Sequence, residues 1–197
     1  MCGRFIVTID EGVAEIEKIL HAIDENNPDQ GLTAKTGEIY PTDGVPVLSI
    51  QNGRPAMSIM AWGFPMWDGK GVIINAKSET AAGKKMFREP LMHRRCVIPT
   101  TGFFEWKKLG GKAKIKYRFN DPAGPMLYMA GFYTDYPGLG SRFVILTRDA
   151  NSSISDIHDR MPVILYKDEL IRWITDYEFA IKVMSRDSVL LERASAE

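Results

Sequence analysis

Apolar residues fall mostly into short runs broken by Gly, Pro and Asp rather than into long helical stripes. GRFIVT (3–8), VPVLSI (45–50), AMSIMAWGF (56–64), GVIIN (71–75), RCVIPTTGFFEWKK (95–108), KIKYRF (114–119), MLYMAGFYT (126–134) and RFVILT (142–147) read as strands. MPVIL (161–165) reads as one more, led by a proline. DEGVAEIEKILHAI (10–23) has helical periodicity with Asp10 as its N-cap, and the polar, turn-rich stretch 24–44 reads as a loop. SETAAGKKMF (78–87), EPLMHR (89–94), DELIRWI (168–174) and DYEFAIKVM (176–184) predict short helices. Many strands with few, short helices predict an α+β fold, with an antiparallel or barrel-like β core and peripheral helices. No linker or repeat interrupts the pattern, so residues 1–197 are expected to form one domain.

Composition narrows the chemistry. Lys plus Arg number 25 and Asp plus Glu number 25, so overall charge does not favour a polyanion and any such site must be local. The N-terminal stretch lacks a basic segment followed by a long apolar one, and no run nears the ~18 residues of a membrane span. A cytoplasmic protein with no membrane contact is expected. Its two cysteines, Cys2 and Cys96, are then free thiols. Three scattered histidines and no paired-Cys motif predict no metal, and the absence of glycine-rich phosphate loops predicts no nucleotide cofactor.

Four positions stand out. Cys2 follows the initiator methionine directly; once Met1 is removed, an amine and a thiol sit on adjacent carbons. Asn75 closes an apolar run, where it either caps the next helix, as Ser78 could also do, or serves a site. Glu105 lies between Phe104 and Trp106; strand alternation turns it either to solvent or into an aromatic setting that raises its pKa. His158 precedes the MPVIL run, as a structural residue or a proton carrier. Basic side chains gather in KKMFREPLMHRR, which includes Lys84 and Lys85, and in KKLGGKAKIKYR, which reads as a solvated face.

MCGRF, WGF with INAKSET, CVIPTTGFFEW, AGFYT and IHDRMPVIL occur in that order from residue 2 to about residue 165. Together they resemble the SRAP family, the SOS response-associated peptidases, which includes sensors of abasic sites in single-stranded DNA. The resemblance implies a covalent sensor. The aldehyde of a ring-opened abasic site condenses with the Cys2 amine, and the thiol closes a thiazolidine; strand cleavage as a lyase through the imine is a further implied activity. It makes Cys2 the nucleophile and Glu105 the acid/base. His158 carries protons at ring opening and crosslink reversal, and Asn75 orients the N-terminal residue or the sugar. Arg4, Lys77 and Arg160 correspond to phosphate contacts, Trp67 and Trp106 to surfaces meeting the flanking bases. Lys84 and Lys85 join them as candidate DNA contacts. Lys77 stands where the family usually has Arg, and the family's Asn-x-Ala-Pro element appears as GEIYPT, keeping Pro41. The implied partner is abasic single-stranded DNA, bound by a monomer that joins the nucleoid when on DNA. An N-terminal-nucleophile peptidase or amidohydrolase, removing its own Met1, is the alternative, and a noncovalent binding module a third.

Overall fold

The longest apolar runs curl into a closed ring. In the computed structural model, which describes residues 2–8 and 34–196, five strands make it: β3 (Gly44–Gln51), β4 (Arg54–Trp62), β8 (Arg95–Thr100), β11 (Leu127–Tyr136) and β12 (Gly140–Asp149). The order β12-β4-β3-β8-β11 returns to β12. All contacts around the ring are antiparallel except β12 with β4, which is parallel. β8 lies wholly inside, each of its six residues buried, which explains an unbroken apolar run without alternation. Gly131 on β11 is required there: a Cβ would stand 2.6 Å from the Val144 carbonyl oxygen and 2.7 Å from Ile98 Cδ1.

A second sheet, of five strands, packs beside the barrel. It comprises β1 (Phe5–Val7), β2 (Gly37–Ile39), β9 (Gly102–Gly110), β10 (Ala113–Asn120) and β15 (Glu192–Ala196), in the order β15-β10-β9-β1-β2. RCVIPTTGFFEWKK, one strand by pattern, is thus two strands in two sheets, divided at Thr101. Gly102 follows the break at φ 155, with space for no side chain: its Cβ would lie 2.7 Å from the Phe119 carbonyl oxygen. Thr100 Oγ1 donates to the Ile6 carbonyl at 2.6 Å and the Thr101 amide donates to it at 2.9 Å, pinning β1 at this break. β2 and β15 carry no apolar run of their own, so pattern alone missed them; β2 falls where a loop is predicted.

GVIIN is also divided. β5 (Phe64–Pro65) and β6 (Val72–Ile73) form a small hairpin, while β7 (Asn75–Lys77) runs parallel to β12. The predicted helix 78–87 is broken as well: α1 covers Ser78–Ala81, and α2 covers Lys85–His93 with Pro90 inside it. After β13 (Arg160–Pro162) and β14 (Ile164–Leu165), α3 spans Leu170–Thr175 and α4 Tyr177–Ser185. Asp176 caps α4, accepting the Phe179 amide at 2.9 Å. The expected helix 10–23, with its Asp10 cap, lies outside the described residues.

One buried cation ties the helices to the barrel. Arg95, 3% exposed, donates to the carbonyls of Leu91, Met92, Trp173 and Ile174, at 2.9, 2.6, 2.6 and 2.9 Å. It thereby satisfies the ends of α2 and α3 with a single guanidinium. Arg95→Met is expected to leave those carbonyls unsatisfied and to cost roughly 3 kcal/mol, read as a lower urea midpoint at constant slope.

Candidate active site at the N-terminal segment

The segment 2–4 runs on from β1 alongside β9, where the Phe104 amide donates to the Arg4 carbonyl at 2.9 Å. This brings Cys2 into the core, 0% exposed. Its Sγ lies 3.7 Å from the Arg4 carbonyl oxygen. Burial, and after it the Glu105 charge, pushes the thiol pKa up, so the sulfur is held as a neutral thiol. Across the gap between the sheets, Asn75 Nδ2 donates to the Cys2 carbonyl at 2.9 Å. Asn75 is therefore no helix cap: the N-cap position of α1 is Lys77, and Ser78 is its first helical residue. Trp62 sets the height of β7, its indole N–H donating to the Ile74 carbonyl at 3.0 Å while its ring packs 5.0 Å from Phe5.

Glu105 does not face solvent. It is 3% exposed, opposite Tyr117 in the β9–β10 register, and its Oε2 lies 3.9 Å from His158 Nε2. Burial lifts its pKa to about 7, with the Asp159 charge adding to the rise. His158 Nδ1 accepts the Arg160 amide at 3.0 Å. The same nitrogen lies 2.9 Å from Asp159 Oδ1, while Nε2 faces Glu105. Burial lowers the His158 pKa, which favours the neutral imidazole.

The remaining candidates divide. Trp106 is half-buried and, with Lys107, Lys108, Asp156, Ile157, His158 and Asp159, lines an open groove of about 380 Å³. Arg4 donates to Glu38 at 2.8 Å, and its guanidinium lies 3.6 Å from the centroid of the Tyr40 ring. Lys116 also bonds Glu38, and the Lys116 hydrogen bond is the main cause that lowers the Glu38 pKa. Pro41 follows Tyr40 in a turn, half-buried. Lys77 is exposed where β7 meets α1; Lys84 and Lys85 are exposed at the start of α2. Trp67 stands at the tip of the β5–β6 hairpin, 96% exposed.

Arg160 needs a correction. As a phosphate contact it should reach solvent, yet it is 6% exposed. Its guanidinium is held by both Glu79 oxygens at 2.6 and 2.9 Å, by Asp149, and by the Thr147 carbonyl at 2.8 Å. It ties α1 to β12 beneath His158. Glu79, Glu38, Tyr40 and Asp159 were not singled out by pattern, because each acts on a residue far away in sequence or on a side chain of ordinary appearance.

A β-barrel flanked by a second sheet, with an N-terminal cysteine set against a buried carboxylic acid, an asparagine and a histidine, defines the class of site. The chain belongs to the family described as SOS response associated peptidase (SRAP), whose model matches residues 1–193. It is 32% identical over 187 residues to abasic site processing protein YoaM of Bacillus subtilis, covering 88% of this chain and 79% of that protein. It is 29% identical over 179 residues to abasic site processing protein YedK of Escherichia coli, covering 88% of this chain and 79% of that one. A crystal structure of a protein from Bacteroides thetaiotaomicron shares the fold, with a TM-score of 0.78 at 24% identity, covering 100% of this chain and 92% of that one. No helix among the described residues is long and apolar enough to cross a membrane.

Proposed function

We propose that the protein captures abasic sites in single-stranded DNA as a covalent thiazolidine through Cys2 after loss of Met1. The observation that supports this reading is the convergence of Cys2, Asn75, Glu105 and His158, drawn from four separate segments, on one partly buried place. The abasic-site names of the relatives above point the same way.

The residues divide the chemistry between them. The Cys2 amine attacks the C1′ aldehyde of the open sugar, forming a carbinolamine that loses water to an iminium ion. Sγ then bonds to C1′, and its proton passes to a base; the net change is aldehyde plus aminothiol to thiazolidine plus one water. A carboxyl with a pKa near 7 is half-protonated at neutral pH. Glu105 therefore donates to the departing oxygen in one step and accepts the thiol proton in another. Nε2 of His158 faces Glu105, and the imidazole moves protons between that carboxyl and the groove. Asn75 holds the Cys2 carbonyl, so that amine and thiol keep one orientation as the adduct forms.

The test is a denaturing gel of the Met1-processed protein with a single-stranded oligonucleotide carrying one abasic site. A heat-stable shifted band is expected, and its absence sinks the proposal. Turnover of added peptides without such a band assigns the site to peptidase chemistry instead.

A further inference from the structure

The β9–β10 hairpin projects beyond the second sheet, and every residue from 108 to 114 is exposed. Between Gly102 and Asn120 the sequence holds six basic side chains, namely Lys107, Lys108, Lys112, Lys114, Lys116 and Arg118. Its only acid there is Glu105, which is buried. The register places Lys108 opposite Lys114 and Trp106 opposite Lys116. Because side chains alternate along a strand, Trp106, Lys108, Lys114 and Lys116 share one face. Lys107, on the other face, is paired with Asp156 at 3.0 Å.

Among the described residues, the ion pairs of this hairpin stop at Lys107 and Lys116, leaving Lys108, Lys112 and Lys114 with none. Two lysines set directly opposite one another repel, so the hairpin carries a cost that a bound polyanion would remove. An aromatic flanked by lysines is also the arrangement that binds single strands, through base stacking and phosphate contact together. The groove lined by Trp106, Lys108 and His158 connects this face to the site.

We infer that the β9–β10 hairpin is a second contact surface for the phosphate backbone of single-stranded nucleic acid, held by Lys108, Lys112 and Lys114 on the strand leading away from the groove. This rests on the reading of the site as one that meets DNA.

The test is fluorescence anisotropy of a labelled single strand without an abasic site, measured across salt. It compares the wild-type chain, the variant K108S/K112S/K114S, and a charge-matched variant K167S/R172S/K182S on the α3–α4 side, each checked for folding by circular dichroism. Three phosphate contacts at ~0.7 each should make the slope of log K against log salt shallower by about 2 in the hairpin variant. On going from about 50 to about 200 mM salt, the wild type should then lose roughly 15–20-fold more affinity than that variant. The charge-matched variant should keep the wild-type slope. Equal slopes for wild type and hairpin variant overturn the inference, and so does an equal change in both variants, which would mark a net-charge effect. A slope change confined to the hairpin variant supports it even where the wild type gives no covalent band, in which case only the proposed covalent chemistry fails.

Discussion

Cys2→Ala in the Met1-processed protein is expected to abolish the heat-stable adduct with abasic single-stranded DNA while leaving an imine that borohydride traps. The alanine keeps the α-amine, so condensation with the C1′ aldehyde still proceeds, but nothing adds to the iminium carbon and the reaction reverses when the gel sample is heated. Cys96 cannot substitute: it is buried in the barrel, burial raises its pKa well above the usual thiol value, and an internal cysteine has no free amine beside its sulfur. Retention of Met1 is expected to remove the adduct by the complementary route. The Cys2 nitrogen is then an amide, and its thiol no longer has an amine on the adjacent carbon. A heat-stable band of normal yield from either protein would refute the aminothiol mechanism, and a missing borohydride product from Cys2→Ala would refute the amine's share.

Glu105→Gln is expected to act in opposite directions on activity and stability. In the proposed role of acid/base, Glu105 should contribute ~10²–10⁴-fold to the capture rate, measured at neutral pH by quenching with denaturant. The wild-type rate should also change through about pH 7, the value to which burial lifts this carboxyl, and the glutamine variant should lose that inflection. Stability runs the other way. The folded state holds the Glu105 proton more tightly than the unfolded chain does, because ionising a buried carboxyl forfeits its hydration. Its contribution is thus fully present below the ordinary Glu pKa of 4.5 and is lost as pH rises through about 7. Glutamine is neutral at every pH and does not incur this loss. Relative to wild type, the variant should gain on the order of 3 kcal/mol between about pH 4.5 and pH 8. Urea denaturation at the two values measures this, and a difference that does not change with pH would show that Glu105 is already ionised in the folded protein.

The residue pattern alone dictates a chain built from short strands, since apolar runs of that length between Gly, Pro and Asp suit little else. It also sets a cysteine directly behind Met1, where loss of that methionine would leave an amine and a thiol on adjacent carbons, as the proposed chemistry requires. INAKSET, FFEW and IHDRMP were legible as one set through their family resemblance, although each residue taken alone had a bland reading. Where each of them lies and what it touches depends on long-range packing. Strand alternation assigns Glu105 to one of two faces, but which face is covered depends on a loop some fifty residues away, where His158 stands 3.9 Å from it. Asn75 had equal claims as cap and as site residue; with β7 set beside β12 its amide meets the Cys2 carbonyl, and Lys77 takes the N-cap position. Arg160 reads as a solvent-facing cation, yet Glu79 and Asp149 enclose it from two other elements. The lysines of KKLGGKAKIKYR read as an ordinary solvated face until the register set Lys108 against Lys114. In each case local pattern records what a side chain is, whereas burial and charge partners come from segments distant in sequence, and those set its pKa, its exposure and its chemistry.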